Sequence, residues 1–179
     1  TLERASGTWW KPRSEVPARV IGNLDFDTLN NHTLRRVPDF VELARSKPEW
    51  FDVHDTKSEE RIPFWRREAF IQYLLQNTHR YLPGDIVVIR GYTPFERKWE
   101  RRVMHYHSFF IYESDPITAL PISIVGNAGR PTLRVWDTEA QRTPRRSIWH
   151  RLRPRLHWLE KIAGSHALPE GRAAPLTDG

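Results

Sequence analysis

Apolar and polar positions along the chain follow first a helical and then a strand period. From Pro38 to Ser46, Phe40, Val41 and Ala44 recur at helical spacing behind a first-turn proline, and Lys47-Pro48 ends the pattern. A polar loop is expected next, running through Asp55 to Arg61. The stretch from Pro63 to Thr78 carries the clearest helix: Phe64, Ala69, Phe70, Tyr73, Leu74 and Asn77 fall near one face, while Arg66, Arg67 and Gln76 stay in water. The first 36 residues, broken by Gly7, Pro12, Pro17 and Gly22, read as irregular chain anchored by Trp9 and Trp10.

The period changes after Leu82-Pro83-Gly84-Asp85, which turns the chain into Ile86-Val87-Val88-Ile89. A run apolar at both parities predicts a strand covered on both faces. Residues 92–102 form a charged connection, and strand pattern returns from Val103 to Tyr112. A turn over Glu113 to Ala119, a strand from Leu120 to Val125, a break at Gly126 to Gly129 and a strand from Thr132 to Trp136 follow. Arg155 to Ala163 reads as a short helix, and the Ala/Pro/Gly-rich tail from Gly164 is expected to be mobile. The sum is an α+β domain, N-terminal helices packed on an antiparallel β-meander. We divide it into an irregular, insertion-like segment 1–62, a core 63–136, a basic C-terminal extension 137–163 and a tail 164–179.

Composition narrows the classes. At 179 residues the chain builds one domain with a real core. No apolar run approaches the ~18 residues of a membrane-spanning helix. The start at Thr1 rather than Met leads us to expect a segment upstream. There is no cysteine, which excludes disulfides, thiolate metal sites and a cysteine nucleophile from these residues. The formal net charge is +6, and Arg142, Arg145, Arg146, Arg151, Arg153 and Arg155 crowd one segment beside Trp149, His150, His157 and Trp158. Arg145, Arg146 and Arg151 are candidates for binding nucleic acid or another polyanion. The plainer reading is a solvated basic face held down by its tryptophans.

The chemistry centres on one hairpin. A loop symmetric about Ile117 opposes residues whose numbers sum to 234, setting Ile111 opposite Ser123, Phe109 opposite Val125 and His107 opposite Asn127. Directly opposed side chains start from Cβ atoms about 4.5–5.5 Å apart, so carboxamide and imidazole can hydrogen-bond. An imidazole held in one tautomer by a partner is the general-base half of a hydrolase. The plainer reading of His107 is a strand-end residue, half covered.

The order of a helix, Pro-Gly-Asp-Ile-Val-Val-Ile, His-Ser-Phe-Phe-Ile-Tyr and Ile-Ser-Ile-Val-Gly-Asn resembles the NlpC-type cell-wall peptidases, which share a papain-like fold. Gly84-Asp85 matches the family's strand-opening turn, His107 its catalytic histidine, Asn127 its polar orienter and Tyr112 its strand tyrosine. The resemblance covers roughly residues 63–136. It implies hydrolysis or binding of a cell-wall peptide, a papain-like fold, no cofactor, and a place in the cell envelope or outside the cell. The family's nucleophile is a Cys at the start of the preceding helix, and Arg67 occupies that place. The resemblance therefore implies a degenerate, peptide- or protein-binding member, or a nucleophile supplied from outside this chain. Trp99, in the charged connection, would flank the cleft.

A third reading rests on His105 and His107. Two residues apart on a strand, they share a face and resemble a cupin's His-x-His, with Glu113 as a further ligand. Asp52, His54 and Asp55 also contain metal-ligand types, with a helix-capping polar loop as their ordinary role. No metal is expected at either place.

Overall fold

The computed structural model describes residues 37–91, 104–125, 132–136 and 143–164. These divide into two compact units, one of residues 37–50 and 154–164, the other spanning Phe51–Arg153. The first contains helix α1 (Val37–Ser46), which buries Val41, Leu43 and Ala44 and stops before Lys47-Pro48 as expected. Its second helix, named α3 in chain order, covers Leu156–Gly164. Trp50 stacks on Trp158 with ring centroids 5.2 Å apart, and Arg155 donates from Nε to the Pro48 carbonyl.

Among the described residues, the second unit is a six-stranded antiparallel sheet with one α-helix. Its strands are β1 (Phe51–Asp55), β2 (Ile86–Gly91), β3 (His105–Ser114), β4 (Pro121–Val125), β5 (Thr132–Val135) and β6 (Arg146–Pro154), in the order β1-β6-β2-β3-β4-β5. Helix α2 (Arg67–Gln76) buries Phe70, Tyr73 and Leu74. These join Phe64, Tyr81, Val87, Ile89, Phe109, Ile111, Val125, Trp136 and Ile148 in one cluster. Every second residue of β2 and β3 thus faces α2. Val88 and Ile86 are buried on the other face, which is why β2 is apolar at both parities.

The α+β class and the β2-to-β5 meander agree with the pattern. Three elements differ. The helix expected from Pro63 begins at Arg67; the Phe64 and Trp65 amides before it are bonded to the carbonyls of Arg146 and Pro144, and the Arg66 amide closes a turn onto the Pro63 carbonyl. Residues read as polar loop contain β1. The segment read as a basic extension contains β6, which lies inside the sheet between β1 and β2.

Charge pairing explains both missed strands. Arg151 is buried and its guanidinium meets the Asp52 carboxylate at 2.7 Å. His150 Nδ1 lies 2.7 Å from Asp55. Asp52 and Asp55 of β1 are thus answered by Arg151 and His150 of β6, each more than 90 positions away in the chain. Arg151 consequently does not belong to a solvated basic face.

Gly91 lets β2 and β6 approach. A Cβ there would lie 2.7 Å from the Arg146 Cα and strike the Arg145 carbonyl, both backbone atoms that cannot swing aside.

Candidate functional site

The turn before β2 is built around Asp85. Its carboxylate is buried, accepts from the Leu82 amide at 2.8 Å, and takes a two-pronged grip from Arg153 at 2.7 and 2.9 Å. Gly84 adopts φ +90°, a left-handed conformation that favours glycine. The Gly84 amide bonds the Ile111 carbonyl and the Ile111 amide bonds the Asp85 carbonyl. Gly84-Asp85 thereby fixes where β3 lies against β2.

β3 in turn places the histidines. It runs antiparallel to β2 with Ile89 opposite His107 and Gly91 opposite His105. His107 shares the parity of Phe109 and Ile111, so it belongs to the α2-facing side. It is half-buried, with its ring centroid 6.4 Å from that of Phe109. Phe109 meets Trp136 at 5.0 Å, and Trp136 meets Phe70 and Phe64 of the α2 region at 5.5 and 6.1 Å. A continuous aromatic floor thus connects His107 to the start of α2. The Phe64 amide is tied to Arg146, Arg146 pairs with Gly91, and Gly91 pairs with His105. The first turn of α2 and the start of β3 therefore sit at the same end of the sheet. A cavity of about 420 Å³ opens at that turn, lined by Trp65, Arg66, Arg67, Glu68 and Ala69.

The β3–β4 register follows the sum of 234 at Phe110–Ile124 and Ile111–Ser123. Between Ile111 and Glu113 it slips by one, leaving Tyr112 as an extra residue in a bulge, 53% exposed. The slip lies toward the turn and leaves the pairing on the His107 side unshifted as far as Phe110. Asn127 and Trp99 lie outside the described residues. The turn carries its own carboxylate: Asp115 accepts from the Ile117 and Thr118 amides and the Thr118 hydroxyl, which holds its pKa below the usual carboxylate value.

The metal alternative is not assembled. His105 and His107 share a face, but Glu113 lies beyond the bulge, and no three metal-ligating side chains come together among the described residues. Of the polyanion candidates, Arg145 is exposed, Arg146 is half-buried beside Gly91, and Arg151 is spent on Asp52.

Two polar groupings escaped the sequence reading. On the α2 side, His54 lies near Arg80, Arg151, Glu60 and Asp52, with its Nε2 buried and unpartnered. Burial first, and then the two arginines, lower its pKa from the ordinary 6.5. On the opposite face, Arg61 and Arg90 lie over the Trp149 ring, and Arg90 also lies over Tyr106. For the first, the local signal is alternation of Phe51 and Val53 with polar residues, obscured by two aspartates; for the second, Trp149 stands in the basic segment but nothing local joins it to Arg61 and Arg90.

No protein family, curated protein or solved structure matches the chain. Among the described residues, no helix is long and apolar enough to cross a membrane.

Proposed function

We propose that residues 63–136 form the core of a papain-like domain of the NlpC type, related to the binding or hydrolysis of cell-wall peptides. The observation that carries this reading is the position of His107. It stands on the α2-facing side of β3, one strand from the Gly84-Asp85 opening of β2, at the sheet end where α2 begins. In a papain-like site that is where a general base faces a nucleophile on the first turn of the helix.

Arg67 is the first residue of α2 and replaces the thiol that the resemblance puts there. A guanidinium cannot attack a carbonyl but binds carboxylates well. The chain by itself is thus read as a peptide-binding relative of the hydrolases, or as one drawing its nucleophile from outside these residues. Asn127 is the proposed orienter of His107, and Tyr112 and Trp99 are proposed to contact the peptide.

The absence of native thiols makes the test clean. Arg67→Cys introduces a single sulfhydryl, whose alkylation rate is followed against pH. If His107 faces that position, the thiol reacts well below the ordinary cysteine pKa of about 8.5, and His107→Ala returns the profile toward it. An alkylation profile indifferent to His107 would sink the reading.

A further inference from the structure

A row of alternating cations and rings crosses the sheet face opposite α2. Arg90 pairs with Tyr106 on one neighbouring strand and Ser147 on the other, all on that face. The β2–β6 register shifts between Val88 and Ile89, so that Ile148 and His150 take consecutive partners and Trp149 is the extra residue. This bulge carries the indole onto the Arg90 side, where its Nε1–H donates to the Ser147 hydroxyl at 3.1 Å. Arg90 then lies between two rings, its guanidinium carbon 4.6 Å from the Trp149 centroid and 4.7 Å from the Tyr106 centroid. Arg61 approaches the same indole at 4.0 Å, held by its Nε–H bond to the Thr56 carbonyl beside β1.

Two features distinguish this row from ordinary packing. Neither arginine has a carboxylate partner among the described residues, whereas Arg80, Arg151 and Arg153 are each matched to one. The Arg90 Nε is also buried with no acceptor. Two partly desolvated cations on one indole repel each other, and the rings compensate that only in part. Their guanidinium carbons lie within about 9 Å of each other, since both are close to one ring centre.

We propose that Arg61 and Arg90, spaced by Trp149, form a binding site for a phosphate group. A phosphate fits better than a carboxylate for two reasons. A monoester or pyrophosphate brings about two or more negative charges to two cations, and its several oxygens reach more than one donor past the edge of the indole, where the two oxygens of a carboxylate are satisfied by one fork. The site is separate from His107, which lies on the α2 side of the same sheet, and does not depend on the peptidase reading.

Titration calorimetry of the full chain with pyrophosphate, with a short single-stranded oligonucleotide and with a glutamate oligomer tests it. The expected result is saturable binding of a phosphate compound, weakened roughly tenfold or more by Arg61→Gln and by Arg90→Lys, the second keeping charge but losing the fork. Binding of pyrophosphate without the oligonucleotide identifies a free or terminal phosphate ligand; binding of both, the oligonucleotide with the shallow salt slope of about two neutralised phosphates, identifies a phosphodiester chain. Arg61 lies in irregular chain, so Arg61→Gln remains informative if thermal melting shows that the Arg90 variant unfolds. The proposal is overturned if the glutamate oligomer binds as tightly as the phosphates, if no phosphate compound binds, or if Arg61→Gln leaves binding unchanged.

Discussion

Arg153 holds Asp85 by two parallel hydrogen bonds of 2.7 and 2.9 Å, joining β6 to the turn that opens β2. The carboxylate is buried while the guanidinium is one-third exposed, so the two partners are unequal. Arg153→Ala strands a buried charge and should cost about 3 kcal/mol, the low end for a broken buried pair because water reaches the arginine side. Urea denaturation measures it. Asp85→Asn in the same background should recover part of the loss.

Gly91→Ala should destabilise the sheet by about 2–3 kcal/mol, since the added methyl meets β6 backbone at the Arg145–Arg146 peptide. Gly84→Ala meets open space and suffers only from its positive φ, so its cost should be smaller, about 1 kcal/mol. The difference in melting temperature between the two variants checks the ranking.

The lowered pKa of His54 sets a pH dependence. The folded state keeps this imidazole neutral where the unfolded chain, with its value near 6.5, already binds a proton. Stability is therefore fully present above pH 6.5 and falls as pH drops from there through the folded value. Urea midpoints at pH 7.5, 6.0 and 5.0 should decline for the native chain and decline less for His54→Gln. Glu60, whose pKa is held down by its hydrogen bond from Arg80, acts only in a lower window, below its ordinary 4.5.

Tyr73 and Tyr81 share a buried hydroxyl–hydroxyl bond of 2.9 Å. Burial, and then the neighbouring Tyr73, push the Tyr81 phenol well above its ordinary value of 10.0. In an alkaline absorbance titration Tyr81 should ionise only on unfolding, whereas a Tyr81→Phe variant should lose that delayed step. The same substitution leaves the Tyr73 hydroxyl without this partner, for a cost of about 1–2 kcal/mol.

What could be read from the sequence was local. The core face of α2, the two-sided apolar run of β2 and the register at Ile111–Ser123 all follow from spacing within a few residues. The strands β1 and β6 do not. Asp52 and Asp55 argue against a strand until Arg151 and His150 are set beside them, and that juxtaposition exists only in three dimensions. The Trp149 bulge was equally silent, because nothing near Trp149 in the chain says which strand it will be inserted against. Of the candidate site, the side of β3 on which His107 lies could be read from parity, whereas the meeting of the α2 start with β6 could not.

The strand order carries a temporal consequence. β2 acquires its β3 neighbour from the following segment, but its other neighbour is β6, the last of the described strands to be made. During synthesis or refolding the β2-to-β5 hairpins can close early, while Ile86-Val87-Val88-Ile89 waits with one row of amides and carbonyls uncovered until Pro154 has emerged. In that interval the most apolar of the described strands is an open template for another chain, so yield should depend on how quickly the C-terminal third arrives.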